Sequence, residues 1–217
     1  MTKKPKDERA LLQDTTGGRI KRYDNYAQVR AEFDLWAAII RRDSTIYDEQ
    51  HVLCTTHRRL ADRVLEQIDH DPDIAVLDFG CGTGLSGKPF IDQGFQVDGI
   101  EFSLKMIKHA VERGYHRVYP RNLVTDPLRL RQQYDVAISC GVSGDWIPYY
   151  LLVPKMMRAL KQRAVLGFTS DVPATDKTRL EKLIRQNRFK ILNFDREQGP
   201  EGPKLKQTDY YFIVAVR

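Results

Sequence analysis

Cysteine is scarce: Cys54, Cys81 and Cys140 are all that 217 residues carry. An odd count, at spacings that fit neither a disulfide framework nor paired CxxC zinc knuckles, leaves reduced thiols as the simplest reading. Long apolar runs are also missing, since nothing approaches the roughly 20 residues that a membrane helix needs. Met1 to Arg9 is charged, with no apolar stretch behind it, which argues against a secretory leader. A cytoplasmic protein without membrane attachment is therefore expected. The five histidines form no cluster at metal-ligand spacing, so no metal is expected. There is no internal repeat and no low-complexity tract.

What remains is an ordinary globular composition, 41% hydrophobic and 29% charged, with length for one domain but not two. The net charge of +6 suits an anionic partner but says nothing of fold. Residues 137–217 carry the whole excess. Much of it, Lys177, Arg179, Lys182, Arg185 and Arg188, has the spacing of a solvated helix face.

Three regions are expected. Residues 1–22 show no periodicity and read as a flexible basic tail. Residues 23–70 read as an N-terminal helical cap, with apolar residues at helical spacing over 24–42 (Tyr26, Val29, Phe33, Trp36, Ala37, Ile40) and again from about Thr55 to Ile68. Residues 71–217 form the core, with strands expected at Ala75–Phe79, Gln96–Glu101, Val118–Pro120, Ala137–Cys140, Ala164–Thr169, Phe189–Phe194 and Tyr210–Val216. Helices are expected near Gly87–Gln93, Leu104–Glu112 and Val153–Lys161. Such alternation predicts an α/β fold, a Rossmann-like three-layer sandwich around a seven-stranded, mostly parallel sheet. The segment Asp195–Asp209, with two glycines and two prolines, has no helical pattern and predicts an antiparallel C-terminal hairpin.

The most informative stretch is Asp78-Phe79-Gly80-Cys81-Gly82-Thr83-Gly84, where an apolar strand turns into a helix. Alternate glycines there permit a tight turn and close approach of a ligand to bare backbone. Glu101 ends the next strand, at the offset where an acid meets the ribose hydroxyls of a nucleoside on the first loop. Arg121-Asn122-Leu123 follows the third strand, within reach of an adenine edge. Asp78 selects the nucleoside. A carboxylate ending the strand repels a docked pyrophosphate by several kcal/mol at an effective dielectric of roughly 20, whereas it attracts the sulfonium and ammonium of S-adenosylmethionine.

These residues resemble the first motif of class I S-adenosylmethionine-dependent methyltransferases, and Val97-Asp98-Gly99-Ile100-Glu101-Phe102-Ser103 with Met106 and Ala110 resembles the segment that follows it. Within that superfamily, Gly84-Leu85-Ser86-Gly87, Tyr134-Asp135-Val136 and Ser139-Cys140-Gly141-Val142 are similar to the Williams-Beuren region type and related small-molecule methyltransferases. The likeness covers roughly residues 47–170. It implies that the backbone of Gly80, Cys81 and Gly82 cradles the methionine part of S-adenosyl-L-methionine, that Asp78 faces its amine, that Glu101 holds the ribose, and that Phe102 and Met106 border the adenine. Phe79, Asn122, Leu123, Cys140 and Gly141 complete the implied cofactor set. The family more often has Asp where Asn122 stands.

Methyl transfer from a sulfonium is an in-line displacement from an activated donor, so positioning supplies much of the catalysis. The acceptor is expected beyond the fourth strand, at Gly141–Leu151, the crevice side of an open α/β sheet. Trp146, Tyr149 and Tyr150 are candidates to line its pocket, Asp145 is the candidate base, and Tyr47 and His51 are candidates from the cap. The alternative roles are core aromatics, a helix cap and surface histidine. Lys204 and Lys206 are candidates to meet an anionic acceptor. A small-molecule acceptor is favoured. A nucleic-acid or protein methyltransferase is the alternative, disfavoured because no Asn-Pro-Pro-Tyr-like motif follows the fourth strand to hold a flipped base. A cofactor-binding module without turnover is the other.

Overall fold

The computed structural model describes residues 30, 31, 34, 52–143, 147–171, 176–198 and 209–217. Helix α1 (Val52–Leu65) is followed by β1 (Ala75–Phe79), α2 (Lys88–Asp92), β2 (Gln96–Glu101), α3 (Leu104–Glu112), β3 (Arg117–Pro120), β4 (Tyr134–Ser143), α4 (Tyr149–Arg158), β5 (Leu160–Ser170), α5 (Lys177–Gln186), β6 (Lys190–Gln198) and β7 (Asp209–Val216). The seven strands form one sheet in the order β3-β2-β1-β4-β5-β7-β6. Pairs β1–β2, β1–β4, β2–β3 and β4–β5 are parallel, and β7 runs antiparallel to both β5 and β6. The expected doubly covered sheet with a reversed C-terminal hairpin is present.

Both sheet faces are dry, which is why β1 reads as an unbroken apolar run around one acid. One face packs on α4 and α5 through Leu152, Met156, Leu180 and Ile184. The other packs on α1, α2 and α3 through Leu60, Val64, Phe90 and Ala110. Helix α1 also grips the hairpin: the Arg63 guanidinium lies 4.6 Å from the centroid of the Phe212 ring and pairs with Glu197 on β6.

Several boundaries differ from expectation. Helix α1 starts at Val52 and stops at Leu65. Helix α4 stops at Arg158, because Leu160 and Lys161 already belong to β5. Strands β4 and β5 are each longer than their apolar centres, since their polar ends are paired across register shifts. Strand β6 reaches Gln198, which shortens the segment expected as the Asp195–Asp209 loop. The tail and Lys204 and Lys206 lie outside the described residues. Within the expected cap before α1, Arg30, Ala31 and Asp34 are helical.

Candidate cofactor and acceptor site

Because β3, β2, β1 and β4 are parallel neighbours, the residues that end them share one edge of the sheet. Asp78 and Phe79 close β1, Glu101 closes β2, Asn122 and Leu123 follow β3, and Cys140 and Gly141 lie near the end of β4. The sequence-predicted cofactor residues are thereby brought together. Phe79 is fully buried, and its carbonyl accepts the Ser139 hydroxyl at 2.8 Å.

The turn after β1 takes positive φ at Gly80 (71°), Gly82 (53°) and Gly84 (91°), conformations that a side chain would strain. Its N–H groups point inward. Gly80 and Cys81 both donate to the Ile100 carbonyl, at 2.9 and 3.1 Å, and Gly84 donates to the Cys81 carbonyl at 2.8 Å. Gly82 donates to Glu101 Oε2 at 3.1 Å. A phosphate cradle needs such donors free, and here four of the five from Gly80 to Gly84 have partners within the protein.

Beneath the turn Asp78 is wholly buried. Its Oδ2 accepts the hydroxyls of Ser86 and Tyr115, both at 2.6 Å, and Tyr115 accepts in turn from the Gly87 N–H at 2.9 Å. Among the described residues its Oδ1 has no donor. Burial outweighs the two hydroxyls and pushes the carboxyl up from 3.8 to about 6. Glu101 is 5% exposed. Its Oε1 accepts the N–H groups of Phe102 and Ser103, both at 2.8 Å. Burial raises its pKa, and the neighbouring Asp78 charge adds to the rise. Burial, Asp78 and Glu101 together push the Cys81 thiol well up, so it stays protonated. This corner of the protein is dry and negative.

Ser103 caps α3 by accepting the Met106 N–H at 3.2 Å, and its hydroxyl donates to Asp34 at 2.5 Å. Asp34, helical and before α1 in the chain, therefore lies beside the Glu101 corner. Phe102 is half-buried there and Met106 is buried. After β3, Asn122 Oδ1 accepts the Val124 N–H at 2.8 Å, an Asx turn that uses the side-chain oxygen locally. Leu123 is buried.

Gly141 has φ of 71° and open space where a Cβ would stand, while a Cβ on Gly80 would come within 2.6 Å of Val142. The glycine turn thus abuts the end of β4. Gly141 N–H bonds the Thr169 hydroxyl at 2.9 Å; burial pushes the Cys140 thiol up to about 12. Tyr149 is buried in the core, edge-on to the exposed Tyr150. Asp145, Trp146, Tyr47 and His51 lie outside the described residues. Ser86, Tyr115 and Thr169 were not foreseen as part of the site. Ser86 sits in a quoted motif, but Tyr115 is 37 positions from Asp78, with no sequence signal to join them. Among the described residues no group of His, Cys, Asp and Glu could hold a metal ion, and no helix is long and apolar enough to cross a membrane.

Residues 76–163 match the family model of a methyltransferase domain. That segment runs from β1 into β5, and the fold around it is similar to that of solved methyltransferases. An uncharacterised methyltransferase of Geobacillus kaustophilus is 37% identical over 81 residues, 37% of this chain and 36% of the relative. A ubiquinone biosynthesis O-methyltransferase of Leptothrix cholodnii is 33% identical over 81 residues, 35% of this chain and 34% of the relative. The chain thus spans about a third of the length of these relatives. The crystal structure of a magnesium protoporphyrin IX methyltransferase of Synechocystis, with bound SAH, superposes with a TM-score of 0.63 over 89% of this chain and all of that one. At 16% identity that likeness is one of fold.

Proposed function

We propose that the chain is an S-adenosylmethionine-dependent methyltransferase acting on a small-molecule acceptor by in-line displacement. The observation that carries the reading is the pair of buried carboxylates, Asp78 and Glu101, under a glycine turn whose N–H groups are mostly committed internally. Such a site repels a pyrophosphate and attracts a cation. The Asp78 oxygen without a donor among the described residues is the kind of buried acceptor for which a donor of positive charge is the natural partner.

In this reading the turn Gly80-Cys81-Gly82 borders the methionine part, with Asp78 beneath it. Glu101 receives the ribose hydroxyls, and it is held ready by the Phe102 and Ser103 N–H groups. Phe102 and Met106 flank the adenine, with Asn122 and Leu123 at its edge, and Cys140 and Gly141 close the side toward the acceptor. S-adenosylmethionine supplies a methyl group already activated on a sulfonium. The chain's own work is to exclude water and align the acceptor, for which intramolecular precedents give about 7–11 kcal/mol. Tyr149, Trp146, Tyr47 and His51 are the proposed acceptor contacts, and Asp145 takes the proton of a protic nucleophile.

The test is transfer of labelled methyl from S-adenosylmethionine to a panel of hydroxylated, amino and thiol small molecules, with total RNA alongside. Label entering a small molecule supports the reading, and label entering RNA alone overturns it. Asp145→Asn is expected to slow turnover about 100-fold, the usual size of general-base assistance, while cofactor binding is kept. Unchanged turnover removes Asp145 from the mechanism.

A further inference from the structure

A second recess lies away from the glycine turn. Tyr134 and Leu160 face each other as the first residues of β4 and β5, and the Tyr134 N–H bonds the Ala159 carbonyl at 2.9 Å. Gln132 and Gln133 just before one strand, and Arg158 and Ala159 just before the other, therefore sit at the amino edge of the sheet. They line a cavity of about 810 Å³, together with Leu128, Leu130, Arg131 and Lys155. That volume is in the range of small-molecule sites.

The charges on its wall do not cancel. Lys155, Arg131 and Arg158 stand against one acid, Asp126. The Asp126 oxygens already accept the Asn122 N–H and the Thr125 hydroxyl, both at 3.0 Å. Lys155 directs its ammonium at the carbonyls of Leu123, Val124 and Asp126. Its three donors are used within the protein, so it contributes positive field rather than bonds. Arg131 and Arg158 are exposed, and neither guanidinium has a hydrogen bond or ion pair with another described residue. A guanidinium offers a planar fork of N–H groups matched to a carboxylate or phosphate. Leu128 and Leu130 back onto the apolar core and give the same recess an apolar floor.

We infer that this cavity binds a small organic anion, its apolar body on Leu128 and Leu130 and its phosphate or carboxylate met by Arg131 and Arg158. A polynucleotide backbone fits less well, because such binding draws on several cations that follow the strand and has no use for an apolar floor. Arg131 and Arg158 lie at the opposite strand edge from the glycine turn, and neither is part of the methyl-transfer reading.

The full chain is titrated with phenyl phosphate, benzoate and an oligouridylate, followed by calorimetry and by amide chemical shifts. Saturable binding of phenyl phosphate or benzoate at about 1 mM or tighter is expected, with shifts centred on residues 125–133 and 155–159. Which of the two binds separates phosphate from carboxylate. Arg131→Ala with Arg158→Ala is expected to weaken it at least about tenfold, since each lost bond to a charged partner is worth that much. Both side chains are exposed, so the melting temperature should hold, and Arg131→Gln with Arg158→Gln repeats the test with polarity kept. No saturable binding of either aromatic anion, or binding by both double variants as tight as by wild type, overturns the proposal. Oligouridylate bound more tightly than either, and lost in the variants, overturns it in favour of a polyanion surface.

Discussion

At the scale of single residues, Asp78 carries the sharpest consequences. Its carboxyl is raised from 3.8 to about 6 in the folded chain, so folding favours its protonated form. Its contribution to stability is full below pH 3.8 and is lost as pH rises through about 6, a difference of about 3 kcal/mol. Asp78→Asn removes that penalty. The variant should be about 1–2 kcal/mol more stable than wild type at pH 7.5, without the loss across pH 4–6, in urea melts taken without ligand. A variant less stable than wild type at pH 7.5 would show that the buried charge is better compensated than its neighbours suggest. A cationic ligand beside Asp78 draws its pKa down, so binding near pH 6 should expel up to about half a proton. Calorimetry in two buffers of different ionisation enthalpy reads this directly; identical apparent enthalpies would place the ligand's charge elsewhere. Asp78 itself was legible in the sequence because it stands against the glycines. Its burial and its hydroxyl partners were not, because Tyr115 reaches it only through the packing of the segment after α3 against the turn.

At the scale of elements, β1 and β2 matched their expected bounds residue for residue, since their apolar runs begin and end with the pairing. Strands β4, β5 and β6 were legible only in part. Polar ends such as Ser143, Ser170 and Gln198 pair in the sheet for reasons of register that no local pattern encodes. The α4–β5 junction was misplaced because Leu160 continues the helical spacing of Val153 and Met157, although its backbone pairs with Tyr134. Tyr115 joins β1, the turn and α2 by a single hydroxyl. Tyr115→Phe leaves the Gly87 N–H without its partner and strips one donor from Asp78. It should cost about 1–3 kcal/mol in denaturant melts. A loss below a few tenths of a kcal/mol would mean that water replaces the hydroxyl and that the link does not hold the turn.

For the whole molecule, the alternation of strands and helices was enough to give the layered fold and the reversed hairpin, because right-handed crossovers leave few other arrangements. The acceptor of the proposed reaction was not legible, and the physical reason is plain. Methyl donation asks for a fixed set of contacts at β1 and β2, whereas any nucleophile suitably placed beyond β4 can complete the reaction, so the residues around Gly141 are free to vary with the acceptor. The arginine-lined recess at the amino edge was also invisible, since Arg131 and Arg158 are 27 positions apart and meet only through the pairing of Tyr134 with Leu160.

Two buried acids under the glycine turn, Asp78 and Glu101, are proposed to make a site for S-adenosylmethionine. Calorimetric titration with S-adenosylmethionine, S-adenosylhomocysteine and NAD, on wild type and Glu101→Gln, tests it most directly. Micromolar binding of the first two, weakened about tenfold or more by the substitution, with no uptake of NAD, is the predicted result. Binding of NAD in preference to both, or of none of the three by a folded chain, would contradict it.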